Sequence, residues 1–191
     1  MVRYDKEHKG RTRIDILRAA ARLFRENGYN GVGIERIMQE VGLTRGGFYN
    51  HFDSKEQLFA EVIRWDRDFV ARMQARDGNN LPAEGLRIAM DYLEPKHRAK
   101  VGPGCVMANL TADVVRAGGE VSDAFHDTVQ SLIREFERGL KDPQKDDERA
   151  LVAVALCVGG LTLARGVDGT KLANKISKAC QKAVQRELAR T

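Results

Sequence analysis

The sequence is poor in the residues that build metal sites and disulfide frameworks. Its 191 residues include three cysteines, Cys105, Cys157 and Cys180, which lie far apart and never at Cys-x-x-Cys spacing. This odd, scattered set predicts neither a zinc site nor a group of disulfides. The four histidines and the acidic residues show no metal-ligand spacing, nucleophile elbow or phosphate-binding loop. We therefore expect no metal, no cofactor and no catalytic residue, which argues against an enzyme.

Long apolar runs are also scarce. No stretch reads as the run of about 18 apolar residues that a membrane-spanning helix needs. The first 13 residues are polar and basic, unlike a signal peptide. We therefore expect a cytoplasmic protein. With 42% hydrophobic residues, the chain can still form one or two compact domains and is not disordered.

The period-two alternation that marks a β-strand is missing too. Apolar residues recur instead at the three- and four-residue spacing of helices, so we predict an all-α fold of about nine helices. We divide it into a three-helix N-terminal domain at residues 1–54, which carries a basic arm, and a helical bundle at residues 55–191.

The stretch from Gly33 to Phe52 parses as two short helices with one break. Apolar spacing predicts the first helix over about Ile34–Val41, and Gly42 supplies the left-handed residue that ends it. Thr44 can cap a second helix that runs from about Arg45 toward Asn50. Two helices joined by a tight turn form a helix-turn-helix, whose second helix enters the DNA major groove.

The outward side of this second helix is unusual for a surface helix. It offers hydrogen-bond donors, small residues and one phenol: Thr44, Arg45, Gly46, Gly47, Tyr49, Asn50 and His51. Each of the two glycines weakens a helix by up to about 1 kcal/mol relative to alanine. Close approach of the backbone to a phosphate or a base edge would offset that loss.

Positive charge is concentrated around this motif. Residues 1–55 hold 11 Lys and Arg against 7 Asp and Glu, whereas residues 56–191 hold 21 against 20. Such a basic excess suits a surface that binds phosphates, although a solvated charged face is the alternative. Within it, we predict that the basic leader from Arg3 to Arg13 is a mobile arm and that Thr12 and Asp15 begin the first helix.

The motif resembles the N-terminal domain of the tetracycline-repressor (TetR) family over roughly residues 12–60. Two departures are Gly33, where the family usually has Thr or Ser, and Met38, where it usually has Ala. The resemblance rests on many fixed offsets: Gly28-Tyr29, Ile37, Val41-Gly42-Leu43-Thr44-Arg45-Gly46, Phe48-Tyr49, His51-Phe52, Ser54-Lys55-Glu56 and Leu58. It implies a dimeric transcriptional regulator, most often a repressor, released from a palindromic operator by a small effector.

The resemblance also indicates which residues meet DNA. We predict that Arg45 reads a base, while Thr44, Tyr49, His51 and Lys55 contact phosphates. Lys55 corresponds to a phosphate-contacting lysine of the family. Two more residues complete the predicted DNA-binding set: Arg11 and Gly46.

Helical patterning continues through the rest of the chain. A long helix starts at Asp53-Ser54-Lys55-Glu56 and carries Leu58, Val62, Trp65, Phe69 and Met73 on one face, before a linker at residues 77–82. Five further helices are predicted: one to about Glu94, one over Cys105–Ala117, one capped by Ser122, one from Asp142-Pro143 to about Arg165, and one from Asp168 to about Leu188. Residues 95–103 read as a loop.

The last two helices carry small and medium apolar residues that let helices approach closely. A second copy of the chain packed against them would form a four-helix dimer interface, which the family resemblance also implies. Packing within one chain is the alternative. The predicted interface residues are Val158, Gly159, Leu161, Leu172, Ile176 and Ala179.

Gly104-Cys105 resembles the opening of the sixth helix in one branch of the family. Cys105 would lie at a helix N-terminus, either as a small buried hydrophobe or as a reactive thiolate. We expect an apolar or amphipathic effector, with candidate contacts at Met90, Leu93, Cys105, Met107, Asn109, Leu110, Phe125, His126 and Val129. A cysteine-based redox or electrophile sensor and a non-transcriptional DNA-binding adaptor are the alternatives.

Overall fold

The structure is a computed structural model that describes the backbone of residues 2–74, 81–137, 140 and 147–189. Within these ranges it contains ten helices and no strand, which confirms the all-α prediction. The helices are α1 Val2–Asn27, α2 Ile34–Glu40, α3 Arg45–Phe48, α4 Lys55–Gln74, α5 Leu81–Tyr92, α6 Pro95–Arg98, α7 Val106–Ala117, α8 Gly119–Glu137, α9 Asp147–Gly166 and α10 Lys171–Ala189.

Helix α6 is the one helix that the sequence analysis did not predict, and it lies where a loop was expected. Glu94 has the extended backbone of a capping residue, and Pro95 follows at the first helical position, where its fixed φ suits a helix. The amides of Arg98 and Ala99 donate to the carbonyls of Glu94 and Pro95, both at 3.0 Å. The prediction of about nine helices was therefore one too few.

Helix α1 begins at Val2, so the predicted mobile arm and the predicted start at Thr12 are wrong. The Thr12 hydroxyl donates to the carbonyl of His8 at 3.0 Å, an interaction of a helix interior. The reason lies in the leader's composition. Residues 2–13 contain no proline, and the lysines, arginines and glutamate among them have good helix propensity.

The helix-turn-helix follows the prediction closely. Gly42 has φ +71°, and the amide of Leu43 donates to the carbonyl of Met38 at 2.9 Å, which closes the turn after α2. Ile37, Met38 and Phe48 are fully buried against α1 and its neighbours. These buried side chains fix the angle between α2 and α3.

An aromatic cluster joins the end of α1 to the start of α4. The Tyr29 ring stacks on Phe59 with centroids 4.6 Å apart, and Phe24 meets the same ring edge-on at 5.3 Å. Helix α4 starts as predicted, because the Gln57 amide donates to the Ser54 hydroxyl at 2.9 Å. The cluster links the helix-turn-helix to the long helix α4, which packs against α1 and α8.

Two predicted features of α4 and its linker lie outside the described residues. The side chains described are those of residues 8–65, 86–137, 140 and 148–189, so the core positions predicted at Phe69 and Met73 lie outside them. Most of the predicted linker at residues 77–82 does so as well. Among the remaining predicted positions, Leu58 and Val62 are fully buried.

Helix α8 begins three residues earlier than predicted. Gly118 and Gly119 have φ of +65° and +48°, so the chain turns sharply there and enters the helix at once. Ser122 is not the cap, since its amide already donates to the carbonyl of Gly118 at 3.1 Å. At α10 the predicted start holds: Thr170 accepts a hydrogen bond from the Ala173 amide at 3.3 Å. The predicted start of α9 at Asp142-Pro143 lies outside the described residues.

Two arginines, which the sequence pattern did not single out, fasten α6 to the last two helices. Arg98 is buried, and its Nε donates to Asp168 Oδ1 at 2.6 Å. Arg165 of α9 donates to the carbonyls of His97 and Lys100 at 3.1 and 3.2 Å. Because the two charged donors bind one carboxylate and two backbone carbonyls here, the short helix has a fixed position.

Helix α9 is apolar on all sides. Its segment Glu148–Gly166 is long and apolar enough to span a membrane, with a mean hydropathy of 1.5. A buried core helix has the same composition, and α9 packs against α8 and α10 within the chain. A long apolar helix, which the sequence analysis did not detect, is therefore present in α9.

Gly160 is the point where α9 approaches its neighbours most closely. A Cβ at Gly160 would lie 2.6 Å from Cys180 Sγ and 3.2 Å from Leu93 Cδ2, whereas one at Gly166 would meet nothing within 4 Å. We expect Gly160→Ala to lower the free energy of unfolding by about 1–3 kcal/mol through overpacking. Urea unfolding would measure this loss. Gly166→Ala is the control, and equal stability of the two variants would contradict the close approach.

Candidate nucleic-acid interface

The residues of α3 divide cleanly between the core and the surface. Phe48 is fully buried, while Thr44, Arg45, Gly46 and Tyr49 are exposed. Tyr49 is 56% exposed even though its ring packs edge-on against the Phe48 ring, with centroids 5.3 Å apart. The helix is therefore anchored by one side chain and presents its other residues outward.

Helix α3 is shorter than predicted, and Thr44 does not cap it through its side chain. The backbone of Thr44 is extended at φ −86° and ψ 155°, but its hydroxyl makes no capping hydrogen bond. Its carbonyl accepts from the Gly47 amide at 3.0 Å instead. The helix ends at Phe48, and Asn50 and His51 lie in the turn that follows. A four-residue helix therefore depends on its buried residue more than on its cap.

The two glycines of α3 are not required by packing within the chain. A Cβ at Gly46 would have Thr44 Oγ1, 4.0 Å away, as its nearest neighbour, and one at Gly47 would lie 3.7 Å from Met38 Cε. Both are ordinary van der Waals distances. Because these residues also weaken a helix, their presence points to a close approach from outside the chain.

Lys55 is directed into the protein rather than outward. Its Nζ donates to the Tyr29 carbonyl at 2.7 Å and lies 4.0 Å from the centroid of the Tyr29 ring. Partial burial lowers the pKa of this lysine, while Asp113 acts in the opposite direction. Lys55 thus holds the aromatic cluster, and its phosphate contact stays a prediction.

Arg11 lies on α1, and His51 lies in the turn that follows α3. Arg11 is exposed on α1, which passes beside the turn after α3. His51 is half-buried, and its Nδ1 atom has no hydrogen-bond partner among the described residues. Burial, followed by the charges of Lys9 and Arg13, lowers the pKa of His51. Of the predicted DNA-binding set, five residues therefore lie on or beside α3, while Arg11 and Lys55 belong to neighbouring helices.

Arg13 helps to hold the turn after α3 in place, although the sequence pattern did not distinguish it from the other basic residues of α1. Its guanidinium lies 4.5 Å from the centroid of the Phe52 ring and 2.5 Å from Glu61 Oε1. It therefore connects α1 to the turn after α3 and to α4. Only the three-dimensional arrangement of α1 and α4 brings these partners together.

Most of the predicted effector-contacting residues belong to one apolar cluster. Asn109 differs, because its amide donates to the Cys105 carbonyl and its Oδ1 accepts from Arg165, both at 2.8 Å. His126 lies outside this cluster, because its side chain is 70% exposed on α8, and its effector contact stays a prediction. The apolar members are buried at Leu93, Cys105, Met107 and Leu110 and half-buried at Met90, Phe125 and Val129.

The predicted dimer-interface residues are not all on one surface. Leu161 is buried, because α9 turns this side toward the core, and its place in an interface stays a prediction. Leu172 is 53% exposed, and Gly159 and Ala179 are exposed as well. Val158 and Ile176 are half-buried.

Two of the three cysteines are shielded from solvent in this arrangement. Cys105 and Cys157 are both buried, and Cys180 is partly so. Burial, together with the neighbouring Cys180 and Cys105, raises the pKa of Cys157 to about 12. A thiol in such surroundings remains protonated near neutral pH, which fits the hydrophobic role.

A short exposed helix that is anchored by one buried side chain and joined to α2 by a tight turn is the arrangement of helix-turn-helix DNA-binding proteins. Residues 16–62 match the family model described as "Bacterial regulatory proteins, tetR family". The DNA-binding domain of the chain therefore matches this family, and the curated relatives that the chain resembles are transcriptional regulators.

Known proteins resemble the chain well beyond this domain. It is 28% identical over 162 residues to the HTH-type transcriptional regulator LmrA of Bacillus subtilis (strain 168), which covers 81% of this chain and 86% of LmrA. Other curated relatives are named transcriptional repressors.

Two solved structures share the fold. A TetR transcriptional regulator from Chloroflexus aurantiacus J-10-FL has a TM-score of 0.76 at 19% identity and covers 94% of this chain and 97% of its own. The regulator FadR from Bacillus subtilis, solved in complex with stearoyl-CoA, has a TM-score of 0.64 at 14% identity, covering 90% and 96%.

The role of the α3 glycines can be tested without disturbing the fold. Gly46→Ala should leave stability unchanged or raise it by up to about 1 kcal/mol, since it improves helix propensity. If the α3 backbone lies against DNA, the same change should weaken DNA binding about tenfold or more, equivalent to about 1.4 kcal/mol. Thermal unfolding and fluorescence anisotropy would measure the two effects, with Gly166→Ala as the control. If the Gly46→Ala variant bound DNA with wild-type affinity, the duplex would not lie against the α3 backbone.

Proposed function

We propose that this protein is a ligand-responsive cytoplasmic repressor that binds a palindromic operator as a homodimer and leaves it when a small apolar or amphipathic effector binds. In this proposal residues 1–54 bind DNA, and residues 55–191 form the dimer and hold the effector. The observation that carries it is the division within α3. A buried Phe48 anchors a helix whose other side chains and glycines face outward.

Arg45 is the base-reading candidate, because its long, forked side chain is exposed on α3. A guanidinium can donate two parallel hydrogen bonds to a guanine edge in the major groove. Thr44 and Tyr49 flank it and carry hydroxyls suited to phosphate oxygens. This arrangement separates one residue that specifies sequence from two that position the helix.

An exposed apolar face on α9 and α10 supports the homodimer. Leu151, Leu163 and Leu172 are 48%, 64% and 53% exposed, and Gly159 leaves a shallow region between the first two on α9. Apolar surface of this kind marks an interaction site. A two-fold dimer would cover it and present two α3 helices, as a palindromic operator requires.

The apolar cluster between α5, α7 and α8 supports the effector class. Methionines such as Met90 and Met107 adapt to varied apolar ligands, and half-buried Phe125 and Val129 lie at the edge of the cluster. The fold neighbour FadR was solved with stearoyl-CoA, an amphipathic molecule. An apolar chain with a polar head is therefore the first class to test.

The experiment that tests the proposal is selection of bound duplexes from a random DNA pool. The expected product is an inverted repeat that also occurs in a promoter of the source genome, where the protein reduces transcription. An effector screen against the selected duplex, beginning with fatty acyl thioesters, should then find a compound that releases the protein. The proposal of a repressor would be contradicted if the selection enriched no sequence, or if the enriched site occurred only outside promoters.

The base-reading role of Arg45 predicts a loss of specificity. Arg45→Ala should weaken operator binding by about 1–3 kcal/mol and relax the preference at one position in each half-site. Its affinity for unrelated duplex should change less, because phosphate contacts dominate there. Anisotropy titrations with both duplexes would measure the difference. Lys178→Ala, at an exposed lysine of α10, is the control; equal losses on both duplexes would refute base reading by Arg45.

The homodimer can be tested at Gly159, because a side chain there meets nothing within 4 Å in the chain. Gly159→Glu should place an unpaired carboxylate in the interface and weaken association by several kcal/mol. Sedimentation should then show monomers that are still folded. Val115→Glu is the matched control, since Val115 is 77% exposed on α7, away from this face. If the Gly159→Glu variant stayed dimeric, the dimer interface would have to lie on another surface of the chain. Gly160→Glu would not serve, because Gly160 packs inside the chain.

A further inference from the structure

Helix α10 carries an unbroken row of positive charge along its solvent-facing side. The members of the row recur every three or four residues, which places them on one face of a helix, and all of them are exposed. From the first to the last, the row extends about 22 Å along the helix axis. We call it the α10 basic stripe, and its members are Lys171, Lys175, Lys178, Lys182 and Arg186.

The stripe is not neutralised by the rest of the chain. Residues 171–191 hold 6 Lys and Arg against a single acidic residue, Glu187, whereas residues 56–170 hold 15 against 19. The nearly balanced charge of residues 56–191 therefore hides a basic last helix beside an acidic remainder. Among the described residues, no ion pair joins a member of the stripe to a carboxylate.

The other sides of α10 are committed to packing. Ala173 and Val184 are buried on the side opposite the stripe, and the helix packs mainly against α9 and α5. A rigid helix thus holds the cations in a fixed row. A dimer formed at the predicted interface would leave this row uncovered, because the interface residues on α10 lie about a quarter turn away: Leu172, Ile176 and Ala179.

The stripe is also separate from the basic surface that faces DNA. That surface belongs to residues 1–55 and surrounds α3, whereas α10 packs mainly against α9 and α5 and not against the helix-turn-helix. The chain therefore has two basic surfaces, and a duplex docked on α3 needs only one of them.

The composition and shape of the stripe favour a flat anionic surface as its partner. Lysine is depleted at protein–protein interfaces, and an exposed ion pair with a protein carboxylate adds little affinity. Near a surface of anionic lipid, in contrast, each lysine or arginine strengthens association about fivefold. A straight row of cations meets a flat surface along its whole length, whereas the phosphates of a DNA strand follow a helical path and curve away from it.

We propose that the α10 basic stripe binds the headgroups of an anionic lipid membrane and holds the protein there reversibly. The lysine and arginine side chains extend to the headgroup phosphates, while α10 stays packed on α9 and no part of it enters the hydrocarbon core. The inference stands apart from the proposed repressor function, because the stripe shares no residue with the predicted DNA-binding set.

The test is cosedimentation with vesicles made of equal parts of phosphatidylglycerol and phosphatidylcholine, with phosphatidylcholine vesicles as the neutral reference. Wild type should bind the anionic vesicles only, and it should dissociate as the salt concentration rises, because salt screens exposed charges. The triple variant Lys175→Gln, Lys178→Gln, Lys182→Gln should bind about a hundredfold more weakly, at about fivefold for each lysine.

The matched control removes the same charge from the other basic surface. Its three changes are Lys9→Gln, Arg11→Gln and Arg18→Gln, all at exposed positions of α1, and it should bind anionic vesicles within a few-fold of wild type. The inference would be overturned if this control lost as much affinity as the stripe variant, if the stripe variant bound as wild type does, or if wild type bound both kinds of vesicle equally. Circular dichroism would confirm that each variant is folded.

A second readout locates the bound surface on the unaltered chain. Anionic vesicles should protect Lys175, Lys178 and Lys182 from acetylation by acetic anhydride, as followed by mass spectrometry, while exposed Lys100 reacts at an unchanged rate. Random-sequence duplex should protect Lys9 and leave the stripe reactive.

The same readout separates lipid from other polyanions. Protection of the stripe by duplex or by polyglutamate, but not by vesicles, would assign it to a nucleic acid or to an acidic protein and contradict the proposal. The proposed repressor function fails differently, through wild type that shows no sequence preference for DNA.

Discussion

The arrangement of the whole N-terminal domain depends on the burial of Phe48. Helix α3 has four residues, two of them glycine, and a helix of that length has no stability of its own in water. Burying a phenylalanine side chain stabilises by about 1.5–3 kcal/mol, and Phe48 is buried in the core that also holds Met38, with its ring stacked on the Phe52 ring at 5.6 Å. Because one side chain supplies the anchor, the remaining α3 residues are free to be chosen for contacts outside the chain.

This constraint carries over to the connection with the larger helical part. The turn after α3 leads to α4, whose first residue, Lys55, holds the carbonyl and ring of Tyr29. Asp113 of α7 acts electrostatically on the same lysine. The start of α4 is thus hydrogen-bonded to the segment after α1, and a charge on α7 acts on the same lysine. A displacement of α7 would therefore change the electrostatic surroundings of Lys55, near the DNA-facing helix.

Much of this organisation could be predicted from local pattern, and the errors have common causes. Gly42, the start of α4 at Ser54 and the opening of α10 at residues 168–170 were predicted correctly, because they depend on backbone conformation and nearest neighbours. The inward direction of the Lys55 side chain was not predicted, because helical spacing does not say which neighbouring element covers a given face. Leu161 shows the same limit: small and medium residues predict close packing, but not whether the partner is α10 or a second chain. The helical leader was missed because the helix propensity of its residues outweighs its loop-like composition. Helix α6 was missed because long-range arginine contacts hold it in place.

Amide hydrogen exchange, followed by mass spectrometry with and without the selected operator, tests the central claim most directly. If α3 is the DNA-reading element held by Phe48, peptides covering residues 43–51 should become strongly protected on DNA binding, while peptides covering α10 should exchange at unchanged rates. The account would be contradicted if residues 43–51 exchanged equally fast in both states while another surface became protected.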